Sequence, residues 1–438
     1  MGQTWKSDSE DIFERFASGI DEAISTGQVL KCADRDVQYS IRLQNERMRK
    51  HGLRVRYNLT PRGNLSEGFK LGRIWSDEHY ENKLESRTCL KDEEYYEGER
   101  RVFRKKENAV LHQTVTSVRD GVDVSEDIYC CPDCGAPTRI SQLTGGCPSC
   151  GNKFRMSELY PKISNYYFYP DVGSTRKEMG RIALPSILIS VGATYLFLLL
   201  IGVAGLIGST LTSHGNTYQS MQAMGNFIGI AIGGIFIAGF YGAFTGWIIT
   251  VIIYLVRFGK FAAQRIPMAK YLGSQKSFEE FMKKSTPEFS YEFFAGKAVN
   301  YIKMILLSDN PQNLPFYYGQ QTDPSFENIV DVESMGAVGV TKVETSGNYA
   351  VVYADVYLEN TYHSNGKVVR INEVFEVVMR KNLSRPVSMN FHITSIHCPT
   401  CGGSFDATRS MTCPYCSNSF RMEDLDWSVD YLVRKAVR

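Results

Sequence analysis

A chain of 438 residues is long enough for two or three domains, and a composition with 43% hydrophobic and 22% charged residues excludes a wholly disordered polymer. The net charge of +2 gives no global reason to expect a nucleic acid or an acidic ligand as partner. Eleven cysteines are present, and all but Cys32, Cys89 and Cys130 fall in CxxC pairs, a usage that fits metal binding in a reducing compartment rather than disulfides.

The first thirty residues carry Asp8, Glu10, Asp11, Asp21 and Glu22 and lack the basic start and apolar core of a cleaved leader. Lys6 stands where myristoylation of Gly2 requires Ser or Thr. Ser7 with Glu10 fits a capping box, and Phe13, Phe16, Ile20 and Ile24 share one face of the helix it starts. Residues 1–128 are expected to form an α+β segment, followed by a zinc ribbon over residues 129–160.

That ribbon holds Cys131 and Cys134, then Cys147 and Cys150, then Phe154, Arg155, Met156 and Leu159. The same wording returns near the other end as Cys398, Cys401, Cys413 and Cys416, followed by Phe420, Arg421, Met422 and Leu425. Two CxxC knuckles at that spacing supply the four tetrahedral ligands of a structural Zn²⁺ site, so two such sites are expected, with no position left for a reacting water. A redox reading of either pair needs a thioredoxin-like βαβ context, which is missing. Cys130 and His397 each precede a ligand and are either competing ligands or ordinary strand residues. Neither ribbon loop is basic, which disfavours nucleic acid.

Residues 182–208 and 227–256 contain no charged residue, and each run exceeds the ~20 residues needed to cross a bilayer core. The alternative is a buried helix pair in a soluble core, usually shorter and amphipathic. Arg176, Lys177 and Arg181 precede the first run, Arg257, Lys260, Arg265 and Lys270 follow the second, and residues 209–225 hold no Lys or Arg. The positive-inside rule then gives a hairpin over residues 182–256 in the plasma membrane with both termini cytoplasmic. Tyr166, Tyr167, Phe168 and Tyr169 are read either as headgroup-level anchors or as an aromatic patch on the adjoining soluble part. Stripes of small residues, Gly225, Gly229 and Gly233 on one side and Gly234, Ala238, Gly242 and Gly246 on another, are expected to pack against the first span or against a second copy of the chain. With no ionisable residue inside either span, the hairpin reads as an anchor rather than a transporter.

A basic linker over residues 257–277 is expected to favour anionic headgroups near Arg257, Lys260, Arg265 and Lys270. Thr286, Pro287 and Glu288 suggest a helix start, and Phe294, Ala298, Tyr301, Ile302 and Ile305 give that helix one buried face. Residues 351–358 and 368–379 alternate as strands around Asn365 and Gly366, a hairpin signal. Residues 387–396 make a strand into the second ribbon, at 397–422, and residues 427–433 a closing strand. Tyr80 precedes Cys131 by nearly the distance that Tyr349 precedes Cys398, and Gly98 and Gly366 mark a turn in each interval. The N-terminal segment is therefore read as a diverged copy of the C-terminal module, the alternative being that only the ribbons are repeated.

Residues 278–433, with their CPxCGG and CPYC knuckles and Asp426, Trp427, Val429 and Leu432, resemble bacterial relatives of the tether of the mitochondrial inner-membrane import motor, within the nuclear-transport-factor-2-like cone superfamily. That resemblance implies a cytoplasmic helix with a curved antiparallel sheet, an α+β fold that contacts lipid and protein partners without catalysis, and a role in protein transport or membrane-complex assembly. It carries over no partner-binding residue. Asp355, Glu373, His363 and His392 are the acid–base candidates for an alternative enzymatic or small-ligand use of a pocket in this module, with His363 expected to be solvated in the hairpin turn. No Ser-His-Asp order, phosphate-binding glycine loop or HExxH motif accompanies them.

Overall fold

The computed structural model describes the chain apart from residues 1, 63–73, 171, 213–216, 263–267, 321–322, 386–392, 394–395, 399, 409 and 436–438, and it leaves undescribed the side chains of residues 2–11, 74, 169–180, 212, 254–272, 397 and 404. Two compact units result: Met1–Pro170 with Ile266–Arg438, and Asp171–Arg265. The N-terminal segment and the C-terminal module thus close into one body, although the apolar hairpin separates them in sequence.

The N-terminal half begins with two helices, α1 (Gly2–Thr26) and α2 (Arg35–Lys50), followed by strands β1 (Leu53–Pro61), β2 (Ile74–Ser76), β3 (Tyr80–Glu97) and β4 (Arg100–Val118). The first ribbon contributes β5 (Ile128–Cys130), β6 (Pro137–Arg139), α3 (Ile140–Gly145) and α4 (Met156–Leu159), after which β7 (Lys162–Pro170) returns to the sheet. In the second unit lie α5 (Val172–Thr212), α6 (Thr217–Ile237) and α7 (Ala243–Ala262), the last two joined by a π-helical turn at Ala238–Gly242. The C-terminal half has α8 (Met268–Lys283), α9 (Tyr291–Leu307), β8 (Ile329–Ser346), β9 (Tyr349–Ser364) and β10 (Lys367–Asn382). The second ribbon's β11 (Ile396–His397) and β12 (Ser404–Phe405), then α10 (Met422–Leu425) and β13 (Ser428–Lys435), complete it.

Both large sheets are antiparallel, ordered β1-β3-β4-β7 and β8-β9-β10-β13. Apart from the short β2, which pairs beside β3, each half therefore runs helix pair, three strands, ribbon, four-residue helix and returning strand. Tyr80 opens β3 and Tyr349 opens β9, and the bulges at Thr114/Val115 and Val378/Met379 fall at corresponding places where the returning strand pairs. Asn365 and Gly366 form the β9–β10 turn with φ of 53° and 68°, the left-handed pair that a tight hairpin requires.

Some local signals are overridden. α1 already runs through Ser7, so no cap forms there. Thr286 donates its N–H to the Met282 carbonyl and closes α8, and α9 starts at Tyr291. Much of the expected basic linker is helix, in α7 and α8. Of the expected strand over residues 387–396, residues 387–392 and 394–395 lie outside the description.

Phe13, Phe16, Ile20 and Ile24 pack into the N-terminal core, and Phe294, Ala298, Tyr301, Ile302 and Ile305 into the C-terminal one. α9, expected to bury one face, is covered nearly all round, including Lys297, Asn300 and Lys303. The cause is the N-terminal half: Tyr39 and Leu43 of α2 pack on the C-terminal core, and Asn300 donates to the Ser164 carbonyl at 3.3 Å.

The second unit contains two stretches long and apolar enough to cross a membrane, Arg181–Leu211 and Thr217–Ile253, of which only 6% and 17% of the most apolar window is buried. A soluble core pair would be largely covered. The stripe through Gly242 and Gly246 faces α5 so closely that a Cβ would stand 2.5 Å from Val191 Cα and 2.6 Å from Ile187 Cα. Around Gly225, Gly229 and Gly233 a Cβ would meet nothing within 4 Å.

Candidate metal centres and the seam between the halves

Each CxxC knuckle is a tight turn closed by backbone hydrogen bonds. In the first ribbon Cys131 N–H donates to the Ala136 carbonyl (2.8 Å) and Gly135 N–H to the Cys131 carbonyl (2.9 Å), and Cys147, Gly151 and Asn152 repeat the pattern at 2.8 and 2.7 Å. The second ribbon does the same through Cys398, Gly402 and Gly403 and through Cys413, Ser417 and Asn418. The residue after each knuckle's second cysteine takes a left-handed conformation, with φ from 58° to 79°, and three of the four are glycine.

These turns bring Cys131, Cys134, Cys147 and Cys150 into one cluster and Cys398, Cys401, Cys413 and Cys416 into another. Sγ atoms stand 3.7 Å apart for Cys131–Cys150, Cys134–Cys147, Cys398–Cys416 and Cys401–Cys413. Thiolates ~2.3 Å from a central metal form a tetrahedron with edges of about 3.8 Å, so both donor sets fit a structural zinc site without rearrangement. One cysteine of each knuckle is buried and the other exposed. Four sulfurs saturate a tetrahedral ion and leave structural holding, not hydrolysis, as the chemistry available. Cys130 is buried in β5 outside the cluster; the His397 side chain lies outside the described residues.

Among the described residues, the acid–base candidates Asp355, Glu373 and His363 do not share one site. Asp355 stands opposite Glu376 and pairs with Lys435, whereas Glu373 stands opposite Leu358. Glu373 accepts from Asn360 and Tyr362, each at 2.6 Å, and pairs with Arg434 at 3.0 Å. His363 is not solvated: it is 8% exposed, because the N-terminal half places His51 Nδ1 3.3 Å from its own Nδ1. His392 lies outside the described residues. Val352, Val356, Phe375, Val377 and Met379 fill the interior of the C-terminal sheet. Arg265 is likewise outside the description, as are the side chains of Arg257, Lys260 and Lys270. Tyr166 and Phe168 belong to the N-terminal core through β7, and Tyr167 stacks on His112 with ring centroids 5.0 Å apart, so the aromatic run is part of a sheet.

Buried charge, not cysteine, stitches the halves together, and sequence reasoning missed it. Lys91 and Glu93 of β3 meet Asp331 and Glu333 of β8 and Arg370 of β10; Lys91 lies 2.8 Å from Glu93 and bonds Glu333, while Arg370 bonds Glu93 and reaches Glu359 at 3.2 Å. Tyr95 and Gln44 donate to Asp331 at 2.9 and 2.6 Å. Burial pushes Glu93 up to about 7 against the pull of Lys91 and Arg370. The three carboxylates lie close enough for a cation, but Lys91 and Arg370 already occupy that role.

Arg47 of α2 forms a second stitch. It is 3% exposed and donates to the carbonyls of Phe326 (2.8 Å), Glu327 (2.9 Å), Leu307 (3.2 Å) and Ser308 (2.9 Å), capping the C-terminal end of α9 with a cation from the other half. The only advance signal is arithmetical: Lys91 and Glu93 share the inward face of β3 with Cys89 and Tyr95, so charge recurs at period two where a core is expected. No protein-family model, curated protein or solved structure matches the chain.

Proposed function

We propose that the chain is a membrane-anchored, non-enzymatic protein whose zinc-stabilised cytoplasmic body presents a docking surface to protein or lipid partners. One observation carries this reading: the chain leaves a single folded unit at Pro170, passes through two membrane-length apolar stretches and re-enters the same unit at Ile266. Both ends of the hairpin therefore belong on one side of the bilayer, and Arg176, Lys177, Arg181, Arg257 and Lys260 make that side the cytoplasm. Closed thiolate tetrads support zinc as a fastener, and among the described residues Asp355, Glu373 and His363 each engage different partners. Assistance to protein transport or membrane-complex assembly, the role implied by the tether resemblance, is one form of this reading.

Cysteine accessibility in intact cells tests it. A cysteine added within residues 209–225, with the eight metal-binding cysteines kept in place, should react with an impermeant maleimide from the outside of cells, whereas the unaltered chain and one with a cysteine at Ser325 should not. The opposite pattern, or labelling of both, rejects the topology. Metal analysis of the purified protein should give two zinc per chain. Iron–sulfur absorbance rejects the zinc assignment.

A further inference from the structure

We infer that the first turn of α2 couples the two metal centres, so that closure of the body depends on both ribbons being loaded. The inference rests on the reading that both thiolate tetrads hold metal.

Residues Asp34, Arg35, Asp36 and Tyr39 lie within about a turn and a half at the start of α2, and each faces a different part of the problem. Asp34 caps α2 by accepting the Val37 N–H at 2.8 Å, and its own N–H donates at 2.9 Å to the Ile163 carbonyl of β7, the strand that follows the first ribbon. Arg35 Nη2 donates at 2.7 Å to the carbonyl of Cys131, a ligand of the first centre, and that same carbonyl accepts the Gly135 N–H that closes the knuckle. Arg35 is thus bonded to a carbonyl whose direction is fixed by the folded knuckle.

The other side of the turn faces the second ribbon. Asp36, 2% exposed, accepts the Ile393 N–H at 3.2 Å, five residues before Cys398. It also pairs at 3.3 Å with Lys297 of α9, which pairs at 3.2 Å with Asp426, the residue that ends α10 behind the second ribbon. Tyr39 shares a cavity of about 220 Å³ with Thr408 of the second ribbon's loop. Lys297 and Asp426 are buried with Asp36, so displacing one member leaves a buried charge without its counter-charge.

A four-cysteine knuckle without metal lacks the core to hold its turns. When the first ribbon empties, Arg35 loses its carbonyl and the turn keeps only the Asp34 bond to β7, beyond the ribbon. Asp36 then shifts against Lys297 and the chain leading to Cys398. The second centre feels the loss through three side chains, although the ribbons themselves are over two hundred residues apart in sequence.

The test uses the full-length protein in lipid nanodiscs, with zinc release to a chromophoric chelator and amide hydrogen exchange as readouts. Removing the first centre with C134S and C150S should leave one zinc per chain and speed release of the remaining zinc by on the order of 10-fold. With D36N and Y39F already present, the same cysteine changes should add less than about 2-fold, since a severed link has no coupling to lose. Arg35→Ala leaves every thiolate in place and guards against a misfolded cysteine variant. It should raise exchange across residues 404–413, in a ribbon that meets the turn through Asp36 and Tyr39. Two zinc in the wild type, with unchanged release in the cysteine variant or unchanged exchange in Arg35→Ala, overturns the coupling alone. Fewer than two metals in the wild type overturns the metal reading and the coupling with it.

Discussion

Replacing Arg47 by methionine keeps most of the side-chain volume and deletes the cation that joins the halves. Five carbonyls lose a charged donor, those of Leu307, Ser308, Phe326, Glu327 and, at a longer 3.4 Å, Ile329, and Asp309 loses a partner at 3.3 Å. A hydrogen bond to a charged donor contributes ~1.5–3 kcal/mol, and a buried acceptor left without one costs ~1–3 kcal/mol. These losses do not add, because the Ser308 end is near solvent and carbonyls keep a second lone pair, so about 3–5 kcal/mol is expected in total. For a body of about 340 residues, an unfolding entropy of ~2.1 cal/mol/K per residue converts that to a fall in Tm of roughly 4–7 °C. The assay is thermal unfolding in detergent followed by the emission of Trp427, which is fully buried in the C-terminal core. Arg42→Met is the control: Arg42 is more than half exposed and its one ion pair among the described residues is 3.9 Å long, to Glu46, so a change below ~0.5 kcal/mol is expected. A Tm for Arg47→Met within 1 °C of the wild type, or equal to that of the control, refutes the claim that this guanidinium holds the halves together.

Burial holds His112 down to about 4, below the ~6.5 of an unfolded histidine. As pH falls the unfolded chain takes the proton first, so the contribution of neutral His112 is complete above 6.5 and is lost progressively down to about 4. The loss reaches on the order of 3 kcal/mol, and H112N should flatten the pH–stability curve across that window. Gly246→Leu should separate the apolar helices, because its side chain must enter Ile187 backbone, whereas Gly229→Leu has open space; cysteines at Ser190 and Thr245, whose hydroxyls lie 2.6 Å apart, should crosslink in the second variant and not in the first. Zinc removal by a strong chelator should withdraw on the order of 10 kcal/mol per site and expose the ribbons to limited proteolysis, with protection restored by added zinc.

The parts of the fold that were legible in advance are those whose signal is local. Cysteine spacing located the thiolate clusters, unbroken apolar runs located the membrane-length helices, and Asn365 with Gly366 fixed the β9–β10 turn because few other pairs tolerate its backbone angles. The seam between the halves was not legible. Its residues look like surface when read along the chain: Arg47 sits in a helix with Arg42, Glu46, Arg49 and Lys50 for company, and Lys91 and Glu93 make β3 read as a weak strand. Only partners hundreds of residues away turn them inward. The solvated reading of His363 failed for the same reason, since what covers it comes from His51.

The returning strand β7 ends at Pro170, where the apolar hairpin begins, and this fixes an order of events during synthesis. When the ribosome has made the N-terminal half, α2 still presents Arg47, Gln44 and Asp36 without their partners from the C-terminal half, and the Lys91–Glu93 pair of β3 still lacks Glu333 and Arg370. The chain must thread both apolar stretches before those partners exist. Completion of the body therefore waits for the C-terminal half: until that half is made, the buried charges of the N-terminal half lack their partners and mark the chain as unfinished.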